Sequence, residues 1–437
     1  MYRSEQMEEL KTENNWKKQF FPFWSSQMLS LLGSALVQFS LVWWLTKETG
    51  SATVLAMATM FALIPEIVIQ PFAGAITDRI DRKKVIIISD ASIALATLVL
   101  GIFFFFDKVE VWYIYAIMMI RGIGSAFHFP AEQASVSLMV PRDQLSRIAG
   151  LNQAAKGIIN IVSAPLGALV MELVGVEGSL LIDVVTAALA IGIVSFVIIP
   201  RQPELEKKDG SWFGTVMTDM KDGLRYLIGW KGIMVITVMA LIFKIALSPA
   251  FSLIPLLVSS YFGGDAAQYS MVEVAVGIGI IVGGSILGVW GGFKRKTYTM
   301  FLGGLGIGLG MIALGSIPQD GFYYSLPTLF VIGFMVPMVD GSLMAIMQEK
   351  IDNEYQGRVF TMFGSILYLS TPVGLAIAGP VSDALGVQFW FVLAGILVLV
   401  TMCGGMAFKS LRNIETDPVI NPNKTNGWLA SEKNQVE

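Results

Sequence analysis

Long apolar runs separated by short polar segments make up most of the sequence. Twelve runs are each about as long as a helix needs to cross the hydrocarbon core of a bilayer, roughly 20 residues. They lie near residues 20–46, 52–77, 85–106, 111–138, 148–174, 178–199, 231–260, 268–292, 298–317, 323–348, 359–383 and 387–408. The pattern predicts an all-α membrane protein with twelve transmembrane helices.

Composition supports this class. The chain is 54% hydrophobic and 14% charged. Soluble domains are about 45–50% apolar and about a quarter charged, so the low charged fraction is the clearer difference. The first nineteen residues are polar and of mixed charge, so we expect no cleavable signal peptide.

Several chemistries are not expected from the sequence. Cys403 and His128 are the single residues of their kinds, so we expect no intrachain disulfide, no metal site and no cofactor. We find no Walker-type loop and no nucleophile-elbow serine, which argues against an enzyme and against ATP as the energy source. The stretch GGLGIGLG, residues 303–310, lies inside an apolar run and indicates close helix packing rather than a dinucleotide site.

The positive charges predict how the chain crosses the membrane. Of the 30 Lys and Arg residues, only Lys47 and Lys108 fall in the odd-numbered loops between runs. Positive charge marks the cytoplasmic side. An even number of helices with both termini in the cytoplasm satisfies this distribution.

The densest charge cluster is GAITDRIDRKK, residues 74–84, between the second and third runs. Its basic residues could serve only as topology anchors, but that does not explain Asp78 and Asp81, or Gly74 one helical turn earlier. A glycine allows close helix approach, and a carboxylate beside Arg79 and Arg82 can accept charge-assisted hydrogen bonds. We interpret the cluster as a cytoplasmic gate.

The fourth run carries polar residues on one helix face. Arg121, Ser125, His128, Glu132 and Ser135 follow helical spacing. A charge near the bilayer centre is costly and by default indicates function. Arg121 and Glu132 are therefore proton-coupling candidates, and His128 is a cavity-lining candidate. The alternative is a buried polar network that only positions helices.

Other charges lie inside the predicted spans. Glu66 lies between two prolines in the second run and is a candidate proton carrier. Asp340 in the tenth run and Lys244 in the seventh form a plausible pair, with a static salt bridge as the alternative. Asp183, near an outer helix end, is expected to face water. Asp90 is expected to pair with the arginines of the gate.

Polar stripes on two further helices predict a cavity lining. The first run places Gln27, Ser34 and Gln38 on one face, and the fifth places Asn160 on a second stripe. Together with His128 and Lys244, these are the cavity-lining candidates.

The chain resembles the major facilitator superfamily in two respects. It has twelve predicted spans, and the turn after the second span reads Gly-x-x-x-Asp-Arg-x-x-Arg-Lys. A further shared feature is RGIGSA, residues 121–126. Pro130 and Pro337, and also Gly167 and Gly374, are 207 residues apart, as expected for repeated halves. After the eighth run, GVWGGFKRK has Gly292 in the place of Asp78. The resemblance implies two pseudo-symmetric six-helix bundles.

The implied division is a cytoplasmic N-terminal segment (1–19), a first bundle (20–199), a cytoplasmic linker (200–230), a second bundle (231–408) and a cytoplasmic tail (409–437). Within the superfamily, NNWKKQF, LTKETGSA, RGIGSAFHFPA and QEKIDNEYQGRVF resemble the bacterial macrolide-efflux exporters.

This second resemblance implies a monomeric exporter in the bacterial inner membrane that moves amphiphilic drugs, with macrolides foremost, in exchange for protons by alternating access. The proton gradient would be the energy source, and no nucleic-acid partner is expected. The alternatives are an exporter of another hydrophobic compound, such as a siderophore or lipid-like metabolite, and a non-transporting membrane sensor.

Overall fold

Helices account for nearly all of the chain that a computed structural model of the protein describes, namely residues 15–77, 80–200, 221 and 223–416. Twelve long helices occur in these ranges. They are α1 (Asn15–Thr49), α2 (Ala52–Thr77), α3 (Arg82–Phe105), α4 (Val111–Met139), α5 (Leu145–Val174), α6 (Val176–Phe196), α7 (Lys231–Ser252), α8 (Ala266–Trp290), α9 (Lys296–Gly315), α10 (Phe322–Lys350), α11 (Asn353–Leu385) and α12 (Val387–Ala407).

Short helical segments lie between and after the long helices, including residues 223–229 before α7. A 3₁₀ turn covers Arg142–Gln144 before α5. Between α7 and α8 lie one α-helical turn, Ile254–Leu256, and one π-helical turn, Leu257–Tyr261. After α12 comes the short helix α13, Lys409–Arg412.

Eleven of the described helices are long and apolar enough to cross a membrane. The twelfth long helix, α4, falls outside that group and carries Arg121, His128 and Glu132. The all-α membrane fold class is confirmed, and the helix count is compatible with twelve spans.

The described chain divides into two compact units. The first holds the residues up to position 200 together with Ser252–Val274, and the second holds those from 221 to Phe251 and from Ala275 to 416.

In the first unit, α4 packs against α2 and α3, and α1 packs against α5 and α6. Small residues permit these contacts. Gly122 lies against the backbone of Ala62 in α2, and Gly124 lies against Ile93 in α3. A methyl group at either position would overlap these neighbours, so the helices approach closely where α4 carries its polar face.

The second unit has α9 packed between α10 and α12. Gly303 lies against Met338 of α10, and Gly308 lies against Leu399 of α12. The close helix packing predicted for residues 303–310 is therefore confirmed.

The two units repeat one packing detail. Gly167 of α5 lies against the ring of Phe39 in α1. Gly374, which follows 207 residues later in α11, lies against Ile245 and Pro249 in α7. In each unit a glycine thus lets the fifth helix approach the first.

Candidate functional site

A buried ion pair lies inside the first unit. The Nη1 atom of Arg121 in α4 is 2.8 Å from the Oδ2 atom of Asp183 in α6. The side chain of Asp183 is 1% exposed and that of Arg121 is 11% exposed. The guanidinium stays charged at any physiological pH, so the carboxylate supplies the opposite charge that a buried cation needs.

Two further helices complete the hydrogen bonding of this pair. Thr97 of α3 donates to Asp183 Oδ2 at 3.0 Å and accepts from Arg121 Nη1 at 2.7 Å. Ser34 of α1 donates to Asp183 Oδ1 at 2.9 Å. The pair therefore ties together α1, α3, α4 and α6, which for Arg121 agrees with the alternative hypothesis of a buried polar network that positions helices.

The expectation that Asp183 faces water is wrong, because its side chain is enclosed by the four helices. Its partnership with Arg121 was missed because the two residues lie on helices that are not consecutive in the chain. The sequence signalled only that Arg121 lies in a span and that several acids lie in the spans of the same bundle, which does not single out Asp183.

Beside the ion pair lies a cavity of about 230 Å³ in the first unit. Five residues of helix α4 line it, along with residues from α1, α2, α3 and α5. The lining residues are Gln27, Met28, Ser30, Leu31, Ser34, Glu66, Asp90, Ile93, Arg121, Ser125, His128, Phe129, Glu132 and Lys156.

The cavity brings most of the predicted residues of the first bundle together. Glu66, Arg121 and Glu132, which were proposed for proton coupling, share it with the predicted lining residues Gln27, Ser34 and His128. Their roles stay predictions. Gln38 and Asn160 are exposed and are not among the described residues that line this cavity.

His128 connects three helices at the cavity wall. Its Nε2 atom is 2.9 Å from Oε1 of Gln27 in α1 and 3.2 Å from Oδ1 of Asp90 in α3. A protonated Nε2 can donate to both oxygens, and protonation of the whole ring would make the contact with Asp90 an ion pair. Among the described residues, the ion-pair partner seen for Asp90 is thus His128, and the expected pairing with the arginines of the gate stays a prediction because Arg79 lies outside the described residues.

Polar atoms without partners lie in the same place. Gln27 Nε2 and Asp90 Oδ2 are buried and have no hydrogen-bond partner among the described residues. Buried polar atoms in folded proteins are normally hydrogen bonded. Water or a solute in the cavity would satisfy this donor and this acceptor.

Acids outnumber fixed cations in the cavity wall. Glu66, Asp90 and Glu132 face Lys156 and the already paired Arg121. Lys156 Nζ also lies 5.6 Å from the ring centre of Phe129, within cation–π range. The wall therefore combines carboxylates with an apolar and aromatic surface.

An additional polar contact closes α1 against α5 near this cavity. Trp24 Nε1 donates to Asn152 Oδ1 at 2.6 Å. The sequence gives little sign of this pair, because a tryptophan in an apolar run looks like any packing or lipid-facing residue.

The second unit holds a narrower, mostly apolar cavity of about 30 Å³ between α7 and α10. Lys244 and Asp340 both line it. Met239, Met300 and Met402 form part of its wall. The structure thus places the predicted acid and base of this unit together.

The predicted gate is partly described. Asp81 caps α3 by accepting from Lys83 N at 3.1 Å, and Arg82 donates to the carbonyl of Ala134 at 2.9 Å. An added Cβ at Gly74 would meet nothing within 4 Å among the described residues, so the expected close helix approach is not seen there. Asp78 and Arg79 lie outside the described residues.

The described chain is almost entirely helical, and charged side chains surround cavities among helices that are long and apolar enough to span a membrane. This indicates a membrane transporter, because such costly groups inside spans mark pathways for ions and solutes. Comparison with known families makes this assignment specific. Residues 23–375 match the model described as Major Facilitator Superfamily. The chain belongs to this superfamily.

The chain is similar to two proteins named Macrolide efflux protein A. It is 35% identical to the protein of Streptococcus pyogenes over 386 residues, which are 88% of this chain and 95% of the relative. It is 34% identical to that of Enterococcus faecalis over 326 residues, which are 75% of this chain and 100% of the relative.

A solved transporter structure shares the fold. The crystal structure of a D-xylose-proton symporter aligns with a TM-score of 0.68 at 14% identity, covering 92% of this chain and 100% of the other. At this identity the likeness concerns the fold alone.

Proposed function

We propose that the protein exports amphiphilic drugs, with macrolides as the leading class, in exchange for protons. The observation that carries the proposal is the set of acids around the first-unit cavity, in a chain 35% identical to a macrolide efflux protein. Both termini would lie in the bacterial cytoplasm, as the distribution of positive charge predicts, and the protein would act as a monomer.

The paired charges and the carboxylates that line the cavity suggest two different roles, one structural and one in proton transfer. Arg121 and Asp183 neutralise each other and hold four helices together, so they provide a fixed framework. Glu66 and Glu132 line the cavity and are the candidates to carry protons. A carboxylic acid that is protonated on one side of the membrane and deprotonated on the other couples the proton gradient to the conformation.

The wall chemistry suits a large amphiphile. Phe129, Leu31, Met28 and Ile93 present apolar surface beside hydrogen-bonding groups, a combination usual in binding sites for small molecules. Under alternating access the cavity would open to each side of the membrane in turn. Lys244 and Asp340 would contribute a second pair of titratable groups.

Accumulation of labelled erythromycin tests this proposal. A pump-deficient bacterium expressing the protein should accumulate less drug than an empty-vector strain, and a protonophore should raise its accumulation toward the empty-vector level. Glu66→Gln and Glu132→Gln should each lower export at least about tenfold, since loss of a proton carrier removes the coupling.

Glu172→Gln is the matched control, because Glu172 is an exposed carboxylate of α5 outside the cavity. It should export normally. Accumulation equal to the empty vector, with the protein present in the membrane, would remove macrolides as the substrate and favour another hydrophobic compound. Export that resists the protonophore would contradict proton coupling.

A further inference from the structure

The start of α9 lacks the capping side chain that its counterpart in the first unit has. Gly288, Gly292 and Arg295 stand 214 residues after Gly74, Asp78 and Asp81. Asp81 is the N-cap of α3 and accepts a bond from its backbone. Arg295 is the N-cap of α9 and makes no side-chain cap bond, since a guanidinium has no acceptor.

A carboxylate from the far end of the chain occupies this position. Glu415 Oε1 accepts from Lys296 N at 2.5 Å and from Thr297 N at 3.3 Å. Glu415 Oε2 accepts from Thr297 Oγ1 at 3.3 Å. The N–H groups of Lys296 and Thr297 are the first in α9, and such groups have no acceptor inside the helix. A negative charge at this end of a helix is favourable.

The segment that carries Glu415 is packed as well as hydrogen bonded. Leu411 and Ile414 are both 0% exposed. Ile414 lies against Gly232 at the start of α7, and Lys350 at the end of α10 donates to the Glu415 carbonyl at 2.7 Å. Residues 408–416, called the C-terminal strap below, therefore join the ends of α7, α9 and α10.

The first unit makes the corresponding connection in the same direction, with the donor at the start of its third helix and the acceptors at the end of its sixth. There Lys83, in the first turn of α3, donates to the carbonyls of Ser195 and Val197 at the end of α6, at 2.6 and 2.9 Å. In the second unit the chain after the last helix supplies the acceptor, and the start of α9 supplies the donors. Each unit thus joins its sixth helix to the start of its third.

We propose that Glu415 replaces, from the C-terminal strap, the capping carboxylate that the second repeat has lost, and that this contact keeps the strap docked on its own unit. The C-terminal strap is then a structural part of the second unit. All of these contacts lie inside one unit, so the role of Glu415 does not depend on what the protein transports.

Cysteine labelling tests the docking. Cys403 is the single cysteine of the sequence, so Cys403→Ser gives a clean background for Ile414→Cys, a small apolar replacement. With Glu415 present, a maleimide should label position 414 slowly in purified protein. Glu415→Ala should raise the labelling rate about fivefold or more, the effect expected for loss of a helix cap.

Asp320→Ala serves as the matched control, since Asp320 is an exposed acid of the same unit outside the strap, and it should leave the rate unchanged. Trypsin cleavage after Lys409, followed in protein that keeps Ile414, provides a second measure of docking. Labelling and cleavage rates in Glu415→Ala that stay within twofold of the parent would overturn the proposal.

A restored local cap tests the replacement itself. Arg295→Asp should give α9 an N-cap like that of α3, so the double variant Arg295→Asp/Glu415→Ala should recover the thermal stability that Glu415→Ala loses. Its strap should nevertheless label fast. Arg295→Ala/Glu415→Ala removes the arginine without adding an acceptor and should recover nothing. Equal recovery by both double variants would refute the capping role.

Discussion

Arg121 and Asp183 show what one charge inside a span requires from its neighbours. The sequence indicated that Arg121 is functional, because an intramembrane arginine is costly, and it predicted the polar face of α4. It could not identify Asp183 as the partner, because helix neighbours in space depend on how the bundle assembles. The same limit explains Asp90, whose ion-pair partner among the described residues is His128.

Removal of one member of the pair should destabilise the protein more than removal of both. Asp183→Asn leaves a buried guanidinium uncompensated, at a cost of about 3–5 kcal/mol, whereas Arg121→Met/Asp183→Leu should be close to neutral. Ser34→Ala, which removes one hydrogen bond, should cost about 1 kcal/mol. Denaturant unfolding in detergent measures all three.

The opposite order, with the double variant less stable than Asp183→Asn, would show that the pair stabilises the fold in its own right. Drug export by the double variant gives a separate result. If Arg121 and Asp183 serve only as a fixed framework, export should be kept. A fall in export at unchanged stability would show that their charges take part in transport.

Helix packing in both units depends on glycines at particular contacts. The apolar runs predicted the twelve long helices within a few residues at many ends, since hydrophobic length is set by the membrane. The large extension of α1 to Asn15 and of α11 to Asn353 was not predicted, because polar residues continue these helices beyond the apolar runs.

Gly122→Ala should loosen the packing of α2 on α4. A Cβ at this position would overlap the carbonyl of Ala62, and backbone cannot move as a flexible side chain can. We expect a destabilisation of about 1–3 kcal/mol, in the range found for overpacked cores. Gly192→Ala in α6 is the control, because its Cβ would meet nothing within 4 Å. Thermal unfolding of the two variants should differ clearly, and similar values would contradict the packing argument.

Across the whole molecule, the repeat is visible in packing more clearly than in sequence. Gly167 and Gly374 serve the same contact in the two units, yet the charged turns after the second and eighth helices differ in their acids. The sequence showed that the second turn lacks a carboxylate. It could not show that Glu415 takes that place, because the residue lies more than a hundred positions away.

The gate prediction concerns the whole transport cycle. Asp78→Asn should reduce drug export without preventing membrane insertion, because it removes a carboxylate that is predicted to accept hydrogen bonds in the cytoplasmic gate. Export assays with matched expression levels measure this, and Asp320→Asn provides an exposed-acid control. Normal export by a well-expressed Asp78→Asn protein would exclude the gate.

The low hydropathy of α4 has a consequence for biogenesis. Among the described long helices, α4 alone falls outside the group apolar enough to span on its own, so its insertion should need the help of α2 and α3, which are made first and pack against it. Its arginine leaves the ribosome 62 residues ahead of the acid that neutralises it. We therefore expect the nascent chain to hold α4 at the translocon, or in a shallow position, until α6 has been synthesised.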